Sequence, residues 1–175
     1  GVQTCALPIY CTWRNVRNIS CIYLTHDYSR KIILNSFSNL LIDVIIRKAK
    51  KNDKNVVLNF CKTTFSWGDY ITDVWDYWKL EGNLLVLTSK NTPVGICHSS
   101  FFDSQEWIEG IRINEKFRKK GFASKLVTES EKIGKQNDCI NSFMLIESTN
   151  KKSLELAKKL SYKNFEIWNF YCLTP

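Results

Sequence analysis

Arg118, Lys119, Lys120 and Gly121 stand where one kind of sequence pattern gives way to another. In "EGIRINEKFRKKGFASKLV" (109–127), an apolar-alternating run meets a basic turn, and a helical pattern follows at once. A strand that feeds a glycine turn at a helix N-terminus leaves several backbone N–H groups without intrahelical partners, and the helix dipole adds to their pull on an anion. Lys and Arg beside them add charge-assisted contacts to phosphate oxygens. Gly121 lets the backbone approach such a guest, and Ala123 keeps the next turn small. On its own R-x-x-G-x-A is a weak signal, equally consistent with a solvated basic loop. It is neither a Walker loop nor a Rossmann fingerprint, since both need glycine spacings that are absent here.

The flanking elements must position that turn. Ile42 to Ala49 alternates as a strand, and Asn52 or Asp53 can cap a helix carrying Val56, Val57, Phe60 and Cys61. After the glycine turn "FSWGDY" (65–70), Ile71, Val74, Trp75 and Trp78 recur as one apolar face of a helix ending near Glu81. Strands are predicted at Leu84 to Thr88 and Val94 to Phe102, joined by "SKNTP", and at Glu106 to Asn114. A helix from Phe122 through Ile133, a strand from Ser142 to Ile146, a helix from Ser153 to Leu160 and a strand from Phe165 to Tyr171 complete the order β-α-α-β-β-β-α-β-α-β. No repeat or linker interrupts it.

The 175 residues suit one domain. The net charge of +8 invites a nucleic-acid reading, but the basic residues are scattered among acids. The first nine residues, GVQTCALPI, resemble a translated sequencing adapter, and Tyr10 to Leu40 lacks clean periodicity. Residues 1–41 are therefore expected to be a non-native or disordered leader, with a single domain over 42–175 and a reading frame starting near Val44. Without that leader the basic excess shrinks, because Arg14, Arg17, Arg30 and Lys31 are lost against Asp27. Cys61, Cys97, Cys139 and Cys172 then remain, with no CxxC pair, and read as reduced thiols of a cytoplasmic protein. With His26 and His98 the only histidines, no His-rich metal site is expected.

The element order, with "IRINEKFRKKGFA" between the fourth strand and third helix, resembles the GNAT superfamily of N-acetyltransferases. Arg118, Gly121 and Ala123 fill the defined positions of its [QR]-x-x-G-x-[GA] signature, and "NKKSLELAKKLSY" (150–162) resembles its Asn-led block. The resemblance runs from about Ile42 to Tyr171. It implies an α/β (α+β) fold with a mixed, mostly antiparallel sheet and helices on both faces. It also implies acetyl transfer from acetyl-CoA to a primary amine, with the pantetheine arm between splayed fourth and fifth strands. Carried over by position, Ile111, Arg112 and Ile113 meet pantetheine through the backbone, and Ile111 N–H is placed to polarise the thioester carbonyl. Arg118, Lys119, Lys120, Gly121, Phe122 and Ala123 hold the pyrophosphate, while Asn150 and Ser153 meet the CoA arm.

An alkyl ammonium must lose a proton before it attacks, and a carboxylate can accept that proton through water. Related families place a histidine or glutamate at or near Glu109 and Trp107, so Glu109 is the preferred base and Glu147 the second. The alternatives are that Glu109 is an acid paired with a neighbouring Arg or Lys, or one that only attracts a cationic substrate. Strand alternation puts Glu106 on the opposite face and groups Glu109 with Trp107, Ile111 and Ile113. His98 reads as a satisfied strand residue. The tyrosine that in the family protonates the leaving thiolate falls on Ala157 here, and Ser161 replaces a usual glycine. Tyr162, Tyr171, Cys97 or water could substitute. Trp75 and Trp78 read as core, whereas Phe65, Trp67 and Tyr70 are the expected acceptor contacts. The expected partner is a small-molecule amine, an amino acid or a peptide amine, with no membrane, no nucleic acid, and a monomeric or homodimeric state. The rival readings are an acyl-CoA-binding protein of the same fold without turnover, and a basic nucleic-acid-binding module.

Overall fold

A computed structural model describes residues 18–28, 44–62, 64 and 69–171. Its element order is β1 (Asn18–Asp27), β2 (Val44–Lys48), α1 (Lys54–Cys61), α2 (Ile71–Glu81), β3 (Leu84–Ser89), β4 (Thr92–Phe102), β5 (Gln105–Ile113), α3 (Phe122–Gln136), β6 (Asn141–Glu147), α4 (Lys151–Lys159) and β7 (Lys163–Tyr171). From β2 onward this is the order the sequence pattern gives. The strands form one sheet in the order β2-β3-β4-β5-β6-β1-β7. Every pairing is antiparallel except β5 with β6.

The first strand is a departure from the sequence reading. Residues 18–27, assigned above to the leader, lie inside the sheet and pair with β6 on one side and β7 on the other. Their alternation is visible once the strand is placed: Cys21 and Tyr23 are buried on one face, Leu24 and His26 on the other. The hairpin after β3 is also tighter than "SKNTP" suggests. Only Lys90 and Asn91 form the turn, both with positive φ, as the twist of a two-residue hairpin requires. Thr92 and Pro93 belong to β4.

Each face of the sheet buries its own apolar cluster. On one side Leu85, Leu87, Val94, Cys97, Ile108 and Met144 pack with Phe122, Leu126 and Val127 of α3 and Ala157 of α4. On the other, Val57 and Cys61 of α1 and Ile71, Val74, Trp75 and Trp78 of α2 cover Leu84, Val86 and Ile96. Trp75 and Trp78 are completely buried, as the helical spacing predicts. Asp53, expected as a cap, instead takes both guanidinium nitrogens of Arg47 at 2.7 and 2.8 Å and the Lys50 N–H at 2.7 Å. Burial alone would raise its pKa, but Arg47 and that backbone donor hold the carboxyl below the usual range. Ser161, where the family prefers glycine, has a left-handed φ of 67°.

Gly110 determines how β5 is laid out. Its φ is +62°, and a Cβ there would come within 2.5 Å of the Trp78 ring. The β4–β5 register shifts between the pairs Ile96↔Arg112 and His98↔Glu109, so Gly110 and Ile111 form a bulge opposite Cys97. The bulge corrects the simple alternation. Glu109 and Gly110 both face α2, whereas Ile111 and Ile113 pack with the α3 cluster. Gly110→Ala combines a left-handed strain with an overpacked contact. It should lower unfolding free energy by roughly 2–4 kcal/mol in urea titration. Gly121→Ala, with the same sign of φ but nothing within 4 Å of its Cβ, should lose no more than ~2 kcal/mol.

Candidate active site

Strands β5 and β6 meet at only three rungs, Gln105↔Asn141, Glu106↔Ser142 and Trp107↔Phe143. Beyond Trp107 they separate, although β5 runs on to Ile113 and β6 to Glu147. Their outer edges remain paired, β5 to β4 and β6 to β1. The wedge between them therefore exposes backbone edges with no strand partner. Such groups need hydrogen-bonding company from water or a ligand.

The mouth of the wedge lies toward the turn before α3. Asn114 caps a short 3-10 turn through its side-chain oxygen, 3.1 Å from Lys116 N. Arg118 folds back so that its Nε donates to Ile113 O at 3.2 Å, which ties the basic turn to the end of β5. Lys119 and Gly121 both have left-handed φ, 61° and 75°. Lys120 Nζ lies 5.1 Å over the Phe117 ring, and Phe122 is buried beneath. No side chain caps the N-terminus of the 15-residue α3. Open space at Gly121 and an uncapped helix terminus among exposed cations fit a pyrophosphate. Ala123 follows in the first turn of α3. Across the wedge, Asn150 caps α4, its side-chain oxygen accepting from Ser153 N at 3.2 Å. Because β5 and β6 run parallel, the turn before α3 and the start of α4 lie at the same end of the wedge.

Arg112 is placed differently from the rest. Its backbone lies on the wedge strand, but its guanidinium turns toward α2 and grips Asp69, with Nε 2.7 Å and NH2 3.1 Å from the carboxylate. It also covers the Tyr70 ring at 5.3 Å. Burial works against its charge, yet Asp69 outweighs that effect and keeps it firmly protonated. Burial pushes the Tyr70 hydroxyl up to about 12. Tyr70 thus helps anchor the start of α2, while Phe65 and Trp67 fall outside the described residues.

The expected base stands beside a histidine. Glu109 Oε1 lies 3.1 Å from His98 Nδ1, and Glu81 Oε2 lies 2.8 Å from His98 Nε2, close but off the N–H axis. The imidazole is 1% exposed and stacks on Trp78 at 4.4 Å, with the planes 4° apart. The carboxylates at either end keep 24% and 28% of their side-chain surface exposed. A chain of three titratable groups therefore runs from the sheet face through β4 to the end of α2. Sequence reading treated His98 as satisfied but not as a bridge. Only the β4–β5 register, which sets it opposite Glu109, reveals that role. Glu147 ends β6, exposed, and accepts from Thr149 Oγ1 at 2.6 Å.

The substitutes for the missing tyrosine are largely occupied. Ala157 is fully buried in the α3-side cluster. Tyr162 is buried there too, bonded to Glu131 Oε1 at 2.8 Å and to Ser142 Oγ at 2.7 Å, and burial pushes its pKa well up. Cys97 is sealed from solvent, and its thiol is raised for the same reason. The Tyr171 side chain lies outside the described residues. Among the described residues, no group of three or more His, Cys, Asp or Glu side chains is placed to hold a metal ion. No helix among them is long and apolar enough to cross a membrane.

The family model for the acetyltransferase (GNAT) family matches residues 53–162, so the chain belongs to that family. A comparison with curated proteins finds no match. Solved structures share the fold at low identity. AAC(6')-Iy, crystallised with the bisubstrate analogue CoA-S-monomethyl-acetylneamine, is 16% identical, with a TM-score of 0.63 over 75% of this chain and 99% of that one. An N-acetyltransferase from Staphylococcus aureus Mu50 is 17% identical, with a TM-score of 0.59 over 74% and 98%. A GCN5-related N-acetyltransferase from Sphaerobacter thermophilus is 9% identical, with a TM-score of 0.66 over 89% of this chain and 52% of that one. This chain likewise spans only 60% of a functionally unknown conserved protein from Staphylococcus epidermidis, at 16% identity and TM-score 0.65.

A buried carboxyl on the opposite face generates a pH prediction. Glu106 is wholly inaccessible, accepts from Ser130 Oγ at 2.7 Å and from the Tyr28 hydroxyl, and is raised above 4.5 chiefly by burial. A raised carboxyl binds its proton more tightly folded than unfolded. Its contribution is therefore full below the unfolded pKa and is lost as pH rises through the folded one. Wild-type stability should fall above about pH 4.5 by an amount that Glu106→Gln removes, as compared by urea unfolding across pH 4–8.

Proposed function

We propose that this chain transfers an acetyl group from acetyl-CoA to a primary amine by direct attack. The observation that carries the reading is the wedge between β5 and β6, with unpaired backbone at its sides and the cationic, uncapped start of α3 at its mouth. In this reading Ile111, Arg112 and Ile113 offer backbone groups to a pantetheine arm. Arg118 through Ala123 hold the pyrophosphate, and Asn150 and Ser153 lie along the opposite wall. Acetyl-CoA would supply the thioester whose carbonyl carbon bonds to the amine nitrogen as the C–S bond breaks. AAC(6')-Iy, which shares the fold, was crystallised with CoA-S-monomethyl-acetylneamine, and this supports reading a CoA site on the fold.

Glu109 takes the ammonium proton, directly or through one water, and leaves the amine lone pair free to attack. His98 acts as a positioning residue. It fixes the Glu109 carboxylate from behind, and the 24% of that side chain left exposed lets the proton pass to water. The Ile111 N–H, displaced from the ladder by the bulge, is placed to donate to the carbonyl oxygen as negative charge develops there. Because Ala157 offers no acid, the thiolate departs as such and is protonated by water. Glu147, at the end of β6, is the second candidate for the base. Ala157 also favours a second reading, in which the chain binds acyl-CoA without turning it over.

CoA at about a hundred times its dissociation constant should add about 2.7 kcal/mol. That corresponds to a rise in Tm of roughly 5–10 °C for a chain of this size. Gly121→Glu should abolish the protection, and a wild-type chain that CoA fails to protect would overturn the reading. Thiol release with a panel of amines separates enzyme from binder. In the enzyme, Glu109→Gln should cut kcat by about 10²–10³ while CoA protection persists. Full activity in that variant would move the base elsewhere, with Glu147→Gln as the next test.

A further inference from the structure

The backbone around Ile111 is held from both sides, and both holds come from α2 and its cap. On one side Gly110 lies so close under the Trp78 ring that a Cβ would come within 2.5 Å of it. On the other, Arg112 Nη1 donates back to Ile111 O at 3.2 Å. The same guanidinium is fixed by Asp69, which accepts from Nε at 2.7 Å and from Nη2 at 3.1 Å. Asp69 Oδ1 also accepts from Ile71 N at 3.3 Å, so it caps the helix that presents Trp78. The Tyr70 ring lies 5.3 Å from the guanidinium carbon and stands edge-on to Trp78 at 6.0 Å.

Arg112 and Asp69 keep only 11% and 2% of their side-chain surface exposed. Taking two charges out of water costs much of what their attraction returns, so a buried pair is weak evidence of a role in stability alone. An Arg fork suits a geometric task better, because its donors leave in fixed directions within one plane. Nε and Nη2 are taken by Asp69, and this aims Nη1 at Ile111 O. The two peptide planes that meet at Ile111 are thereby pinned, one at Gly110 and the other at Ile111 O. They lie in the part of β5 that no longer pairs with β6. An N–H held in one direction needs no reorganisation when charge develops on the oxygen it meets.

We propose that Arg112 and Asp69 are positioning residues for acetyl transfer, and that together they keep the Ile111 N–H aimed at the thioester oxygen as it becomes negative. This role rests on the acetyl-transfer reading for the reaction it serves. It adds to that reading two side chains that act through the backbone rather than on the reacting atoms. Turnover should therefore suffer where carrier binding does not, because the cationic turn before α3 holds the carrier through other residues.

The test compares the full chain with Asp69→Asn, Arg112→Lys and the double variant Asp69→Asn/Arg112→Gln, which leaves no buried charge without its partner. In Asp69→Asn and the double variant, kcat should fall by about 10- to 100-fold while the acetyl-CoA dissociation constant barely moves. Arg112→Lys keeps the charge but loses the fork, and should lose nearly as much. A readout without turnover is the Ile111 amide proton, followed by NMR in the chain saturated with CoA or with an unreactive analogue. The analogue is acetyl-CoA with a methylene group in place of the thioester sulfur. In the wild type it should move that proton downfield relative to CoA, and in each variant the movement should shrink. Variants that lose stability in urea yet keep wild-type kcat and the amide shift would reduce the pair to a structural tie and sink the proposal. So would a fall in kcat matched by an equal loss of carrier affinity. If the wild type acetylates amines but the analogue leaves the Ile111 amide unmoved, the positioning role fails and acetyl transfer stands. If the amide shift and its loss are seen but no amine is acetylated, the transfer reading fails and the clamp on Ile111 stands.

Discussion

The contact between Gly110 and the Trp78 ring governs the layout of the whole site. α2 presses its largest side chain onto the sheet where β5 has no side chain, and the strand must bulge there to keep both neighbours. The bulge turns Glu109 toward α2 and Ile111 toward α3, and it precedes the stretch where β5 runs free of β6. The same Trp78 ring lies flat against His98, which in turn steadies Glu109. A single indole thus sets the backbone geometry of the wedge and the orientation of the acid chain beside it.

The two sheet faces divide the work according to their polarity. Toward α3 the polar groups bond to one another: Glu106 accepts from Ser130 and the half-buried Tyr28, and Glu131 accepts from Tyr162, which also meets Ser142, with the His26 ring close by. Those hydrogen bonds offset the cost of burying charge, and they hold the base of the wedge shut where β5 and β6 still pair. Toward α2, Glu81 and Glu109 stay partly exposed to water, which suits the role proposed above for Glu109.

Much of this was legible in the residues. The strand and helix order from β2 onward follows from periodicity, and the basic turn with Gly121 can be placed because a change of period brackets it. The burial of Trp75 and Trp78 follows from their helical spacing. What could not be read depends on register between distant segments. His98 and Glu109 meet only because of a shifted ladder, and simple alternation put Ile111 and Ile113 on the wrong side because a bulge does not announce itself in one strand. Arg112 was expected to offer only its backbone to the cofactor, and nothing in the sequence showed that its side chain would grip Asp69, 43 positions away. The cluster of Tyr23, Trp107 and Phe143, each pair of rings 5.3 Å apart, escaped for a stronger reason. Tyr23 belongs to a strand whose polar, irregular sequence resembled a tail, and whose partners lie more than a hundred positions downstream.

That first strand sets an order of events for assembly. Its two neighbours in the sheet, β6 and β7, lie more than a hundred positions downstream, so it waits for both before it finds its place. Until Asn141–Glu147 has emerged, β1 has no strand to dock on, so the buried His26 and the half-buried Tyr28 are not yet brought to Glu131 and Glu106. Pairings of such long sequence separation are slow and leave edges exposed while they wait. The basic turn and the approach of Glu109 to His98 need only β4, β5 and α3, and can form before β1 is in place. The two sides of the wedge would therefore mature at different times.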